Sequence, residues 1–226
     1  MIGQLKLDSW GRGEVRREEL YGLRVLRAWA DPEGWWGDRR LRKAGRSLRK
    51  GGAIRVLAPA GFARWELLEQ AGLIPMDPCP FLRAQGAPLA LGCLERQGVA
   101  PDRATVALVG GRADRDMARV AAELCPKVRR LVISAPRGGR ELAEWLRREF
   151  GIPVLPEQAP GEVAVRFGPG EGERQEPALA LYGPEPELGG LTLCAPCLSE
   201  SDQTDLPVLA ALWEGGRLSR EGLKIT

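Results

Sequence analysis

Three groups of residues have types and spacings that could do chemistry. The first is Ala104-Thr-Val-Ala-Leu-Val109, an apolar run that passes through Gly110-Gly111 into Arg112-Ala-Asp-Arg-Asp-Met117. An apolar strand that enters a helix through glycines offers free backbone N–H groups and the positive end of a helix dipole to an anion. Gly110, Gly111 and Arg112 are therefore candidate phosphate contacts, with Ser134 at the end of the next strand and Arg137 just after it as candidates for the ribose end of a nucleotide. The second group is the run Arg39, Arg40, Arg42, Lys43, Arg46, Arg49 and Lys50, which contains no acid. Such a stripe can hold the phosphates of a nucleotide or of nucleic acid, through Arg39, Arg42, Arg46 and Arg49 above all. The third is Cys194-Ala-Pro-Cys197, half of a tetrahedral zinc site or a redox pair.

Each group also has a plainer reading. The glycine pair can serve close strand–helix packing alone. The basic run can be the solvated face of an amphipathic helix, its long stems lying over apolar surface. No nucleic-acid motif accompanies it, so nucleic acid ranks behind the solvated face and stays open as a partner. Trp35 and Trp36, just upstream, read as a packing anchor rather than a base-stacking platform. No clear helix follows the cysteine pair, and the five cysteines are odd in number and mostly in apolar surroundings, which suits packed thiols. Glu200, Asp202 and Asp205 read as a solvated loop with a helix cap, and no metal is expected.

Composition narrows the chemistry further. The 226 residues include no histidine, which removes Ser-His-Asp triads, Cys-His dyads and imidazole bases. With 44% hydrophobic residues and a net charge of +3, the chain can bury a core. Seven bases between 39 and 50 leave the remainder net acidic, so the positive charge is local. No run approaches the roughly 18–20 apolar residues of a membrane helix. The N-terminal residues carry no apolar core of signal-peptide length. A cytoplasmic protein with no membrane partner is the expectation.

The elements that must position these groups alternate. Residues 1–30 hold two weak segments: Ile2, Leu5 and Leu7 could form a short strand, and Leu20, Leu23, Val25 and Leu26 a strand or a short helix. Asp31-Pro32 looks like the start of a helix to about Lys50, with Leu41, Ala44 and Leu48 inward. A strand at 54–58, a helix at 62–71 and a short extended segment at 73–76 follow. Residues 80–97 read as a connecting helix that Pro88 kinks or starts. Strand 104–109, helix 113–125, strand 128–134, helix 141–150 and strand 151–155 come next. Segments 163–167, 178–182 and 191–194 read as short strands, and 205–213 as a last helix. Strand–helix–strand alternation implies parallel sheets with right-handed crossovers.

Residues 52–155 resemble Rossmann-type dehydrogenases that place an α/β domain first, then a connecting helix, then a nucleotide domain, as the shikimate dehydrogenase and glutamyl-tRNA reductase families do. The resemblance is carried by the helix around Leu89–Gly98, the strand ending in Val109-Gly110-Gly111, helix 113–125 and the strand ending in Ser134. It implies NADP or NAD as cofactor. There are departures: G-x-G-x-x-G is not met, Asp114 and Asp116 stand in the first helical turn, and no acid ends the strand at Ser134. Ser134 and Arg137 would suit a 2′-phosphate. None of the families' catalytic residues has a counterpart. The expected fold is α/β, with Rossmann-like parallel sheets and flanking helices in two lobes. A lead-in spans 1–30, the first lobe 31–100 and the second 101–226, with a ligand cleft expected between the lobes. The function expected is nucleotide binding, as in a divergent oxidoreductase, or a non-catalytic scaffold that binds a partner or polyanion through 39–50.

Overall fold

A computed structural model describes residues 1–9, 12–169 and 177–226, with the side chains of 12 and 13 left aside. The chain divides into two units, 1–78 with 195–223, and 79–194 with 224–226. The first unit contains β1 (Ile2–Leu7), β2 (Arg12–Leu20), β3 (Leu23–Ala30), α1 (Gly37–Lys50), β4 (Arg55–Leu57), α2 (Trp65–Glu69) and β5 (Ile74–Pro75). The second contains α3 (Cys79–Ala84), α4 (Gly86–Arg96), β6 (Thr105–Val109), α5 (Arg115–Leu124), β7 (Arg130–Ser134), α6 (Gly139–Phe150), β8 (Val154–Leu155), β9 (Val163–Arg166), β10 (Ala178–Ala180) and β11 (Leu193–Cys194). Next, α7 (Leu206–Glu214) returns to the first unit, and β12 (Lys224–Ile225) pairs with β11 in the second.

The first sheet has the order β2-β3-β1-β4-β5 and is mixed. β3, β1, β4 and β5 run parallel, and β2 is antiparallel to β3. The segment around 20–26, open between strand and helix on sequence, is a hairpin. It closes through Tyr21 and Gly22, both with positive φ (49° and 78°), in a two-residue turn that matches the twist of the strands. β2 shows little hydrophobic alternation because it is an edge strand, where charged side chains on both faces discourage further pairing.

One face of this sheet is covered by α1. Leu41, Ala44 and Leu48 of the helix are fully buried and share a core with Leu5, Leu26, Ala28 and Val56. Each such leucine contributes about 1.5–3 kcal/mol of burial free energy. That packing, rather than helix propensity, fixes which side of α1 faces water.

The second sheet is wholly parallel, in the order β10-β9-β6-β7-β8. The chain moves outward from β6 to β7 and β8, then returns to the other side of β6 for β9 and β10. This is a Rossmann-like doubly wound order, and its reversal lies between β6 and β9. All five residues of β6 are buried, as a central parallel strand requires. The expected connecting helix is two helices, α3 and α4, and Pro88 sits in the first turn of α4, where its missing N–H costs nothing.

Candidate functional site

The basic run lies on α1. At about 100° per residue, Arg39, Arg42, Lys43, Arg46 and Lys50 fall within an arc of roughly 100°, opposite Leu41, Ala44, Gly45 and Leu48. All five are exposed. Among the described residues, Arg40 alone of the seven bases meets a carboxylate, Asp31, at 2.5 Å. Arg46 Nε donates to its own helix at Arg42 O, 3.4 Å away. Arg49 lies at the edge of the stripe. Its Nη1 donates to Ala53 O at 3.2 Å, so it braces the helix C-terminus. Two acids near the helix start are paired, Asp31 with Arg40 and Asp38 with Arg64 at 3.0 Å, and Glu33 is exposed on the turn before it. The outward face of α1 is thus a row of positive charge to which no carboxylate among the described residues is paired.

Residues 31–36 differ from expectation. Asp31 does not cap a helix; its Oδ1 accepts from the Glu33 N–H at 2.9 Å and closes a local turn. Gly34 is left-handed (φ 72°), and the helix begins at Gly37. Gly37 is required there, because a Cβ would stand 2.1 Å from the backbone oxygen of Pro32. Arg64 Nη1 also donates to that oxygen at 2.8 Å and clamps the turn. The turn carries Trp35 and Trp36 out of the helix and into solvent, 92% and 53% exposed. The packing-anchor expectation for this pair is corrected: neither indole is part of the core. The glycines on both sides, Gly34 and Gly37, are the sequence signal for such a turn. Arg39, one turn into the helix, sits over the Trp36 ring, 5.2 Å from its centroid.

The glycine turn follows β6 at the reversal point of the second sheet. Gly110 N–H donates to Ser134 O at 2.9 Å, and Ala113 N–H to Arg137 O at 2.8 Å. The turns after β6 and β7 are therefore tied together, through a bridge between Arg112 and Arg137. Asp114 is the N-cap of α5, and its side chain accepts from Met117 N–H at 2.9 Å. A Cβ on Gly110 would meet the Met117 methyl at 3.1 Å and Phe167 Cβ at 3.7 Å. A side chain on Gly110 would press on Met117, whereas a Cβ on the exposed Gly111 would meet only Pro169 O at 3.7 Å. Ser134 is 6% exposed and its hydroxyl donates to Glu157 at 2.6 Å. Arg112 and Arg137 are exposed, and neither meets a carboxylate among the described residues.

The remaining candidates separate by environment. Cys79, Cys93 and Cys125 are buried, Cys194 is half-buried and Cys197 is exposed; all are free thiols. Burial pushes the Cys125 thiol up to about 11, against a smaller downward pull from a backbone hydrogen bond. Asp205 is the N-cap of α7, accepting from Val208 N–H at 3.1 Å. Burial raises its pKa, and so does Asp202; the Val208 N–H and Lys6 act in the opposite sense. Asp202 accepts from the Tyr21 hydroxyl at 2.8 Å, and that hydroxyl accepts from Ser199 N–H at 3.1 Å. These bonds hold the left-handed Tyr21 in place. Among the described residues, no three His, Cys, Asp or Glu side chains gather as metal ligands would, and no helix is long and apolar enough to cross a membrane.

No family model matches the chain, and no curated protein matches it. Solved structures similar to it include the L-tryptophan dehydrogenase of Nostoc punctiforme, at 17% identity and a TM-score of 0.33, over 73% of this chain and 55% of that one. The ornithine carbamoyltransferase of Pyrococcus furiosus matches at 12% identity and a TM-score of 0.30, over 73% and 58%. An arylmalonate decarboxylase matches at 17% identity and a TM-score of 0.23, over 69% and 86%. The aligned part is little more than half the length of the first two proteins. At scores this low none of them bears on activity. The chain shares a Rossmann-like sheet with many α/β proteins, and a particular family is not shown.

Proposed function

We propose that this chain is a Rossmann-like α/β protein that binds polyanions through the outward face of α1. The supporting observation is the row Arg39, Arg42, Lys43, Arg46 and Lys50, exposed and without carboxylate partners among the described residues. Charges left unpaired on a face whose opposite side is locked into the core keep a fixed array toward solvent, which suits a phosphate- or sulfate-rich chain. Retention on immobilised heparin at about 50 mM salt tests it. Wild type is expected to be retained, and an Arg39→Glu/Arg42→Glu/Arg46→Glu variant to pass through. An Arg103→Glu/Arg129→Glu/Arg148→Glu variant, equal in net charge, is expected to stay bound. A wild type that flows through overturns the proposal.

A second reading is a nucleotide phosphate at the turn of Gly110, Gly111 and Arg112. Arg112 and Arg137, exposed at the reversal of the second sheet and without a carboxylate partner among the described residues, favour it. Against it stand Asp114, which already places negative charge at the start of α5, and Met117 above Gly110. Glu157 would also repel a 2′-phosphate brought to Ser134. Titration with NADPH and NADH, followed by tryptophan emission, decides. A saturable change below millimolar ligand supports this reading, and none removes it.

A further inference from the structure

The stripe on α1 does not end at the helix start. It continues onto Trp35 and Trp36, two indoles held in solvent by the Gly34–Gly37 turn. An exposed pair of tryptophans costs apolar hydration and, with no place in the core, contributes no packing in return. We infer that the polyanion is a single-stranded nucleic acid, with its backbone along Arg39, Arg42, Lys43, Arg46 and Lys50 and one or two bases stacked on Trp35 and Trp36. This rests on the polyanion reading above and narrows it.

The geometry favours single strands over other anionic partners. Duplex bases are already stacked and present edges, not faces, so free indoles gain nothing from them. A membrane-surface helix needs an apolar face to immerse, and the apolar face of α1 is spent: Leu41, Ala44 and Leu48 are fully buried against the first sheet. A basic track beside unstacked aromatic rings is the arrangement that binds single strands with little sequence preference. Arg39 over Trp36 adds a cation–π contact at the junction of track and platform. A base that slides onto Trp36 can take the place of that guanidinium and release Arg39 to a phosphate.

The test compares ligands of like charge with and without bases. Binding of a labelled dT oligomer, of inorganic polyphosphate, of a duplex of equal length and of phosphatidylserine vesicles is measured on the whole protein, wild type and Trp35→Ala/Trp36→Ala. Wild type is expected to prefer the oligomer, with quenching of tryptophan emission that the double variant lacks. The ratio of oligomer to polyphosphate affinity is expected to fall at least about fivefold in the variant. An unchanged ratio, equal affinity for polyphosphate without quenching, or preference for duplex or vesicles overturns the stacking inference and leaves the polyanion reading standing. Failure to bind any of the four removes both. Iodide quenching of the free wild type, expected to be lower in the double variant, checks that the two indoles are the exposed ones.

Discussion

The Arg39 guanidinium lies over the Trp36 indole, 5.2 Å from its centroid, where the 31–36 turn enters α1. Charge and aromatic surface meet at that point. Neither residue is held by the core: Trp36 is half in solvent and Arg39 is exposed. Trp35→Ala/Trp36→Ala is therefore expected to change unfolding free energy by no more than about 0.5 kcal/mol. Tryptophans that anchored the core would cost roughly 3–5 kcal/mol each. Urea unfolding followed by circular dichroism distinguishes the two.

Asp114 holds the start of α5 through Met117 N–H. Asp114→Ala is expected to lower stability by about 1 kcal/mol, and Asp114→Asn by much less, because an amide oxygen caps nearly as well. Thermal melts of the two variants provide the comparison. Equal losses would mean that the carboxylate charge, not the hydrogen bond, stabilises the helix start.

Asp205 gives stability a pH dependence of definite sign. Burial, then Asp202, raises its pKa above the ordinary 3.8, while the Val208 N–H and Lys6 lower it less. The folded chain therefore keeps this proton to higher pH than the unfolded chain. The stability it contributes is full below pH 3.8 and is lost as pH rises through the folded value. Asp205→Asn retains a capping oxygen and removes the titration, so its stability is expected to be flatter in pH between 3.8 and the raised folded value. Unfolding of both proteins between about pH 4 and 7 measures it.

Thiol reactivity is expected to follow burial. Cys197 is exposed and should alkylate quickly in the native protein at pH 8 or so. Cys125, raised to about 11 by burial, should remain unmodified until the chain unfolds. Iodoacetamide labelling with peptide mass analysis reads both. Early modification of Cys125 would contradict its place in the core.

Much of the fold was legible because the second sheet obeys local rules. β6 and β7 are apolar runs followed by glycine or proline turns, and α5 and α6 have a clear inward face. Of the first thirty residues, the short strand at Ile2, Leu5 and Leu7 was legible, but its pairing was not, because β2 is a charged edge strand and β1 reaches its parallel neighbour β3 across a hairpin, a long-range pairing with no local signature. The basic stripe was plain from Arg39 to Lys50. The role of the tryptophans was not, since Asp31-Pro32 imitates a helix start. Only the close approach of Gly37 to Pro32 shows that the helix begins later and that Trp35 and Trp36 ride on a turn. The glycine turn was legible as a turn, but the approach of Met117 to Gly110 depends on side-chain packing that spacing does not encode.

The salt dependence of binding to a dT oligomer tests the central claim most directly. Each phosphate neutralised on a single strand contributes about −0.7 to the slope of log K against log salt. With all five exposed bases of α1 in contact, the slope is expected to be about −3.5, and in an Arg39→Ala/Arg42→Ala/Arg46→Ala variant about −1.4. A wild-type slope near zero, or a slope unchanged in the variant, would contradict binding through this helix.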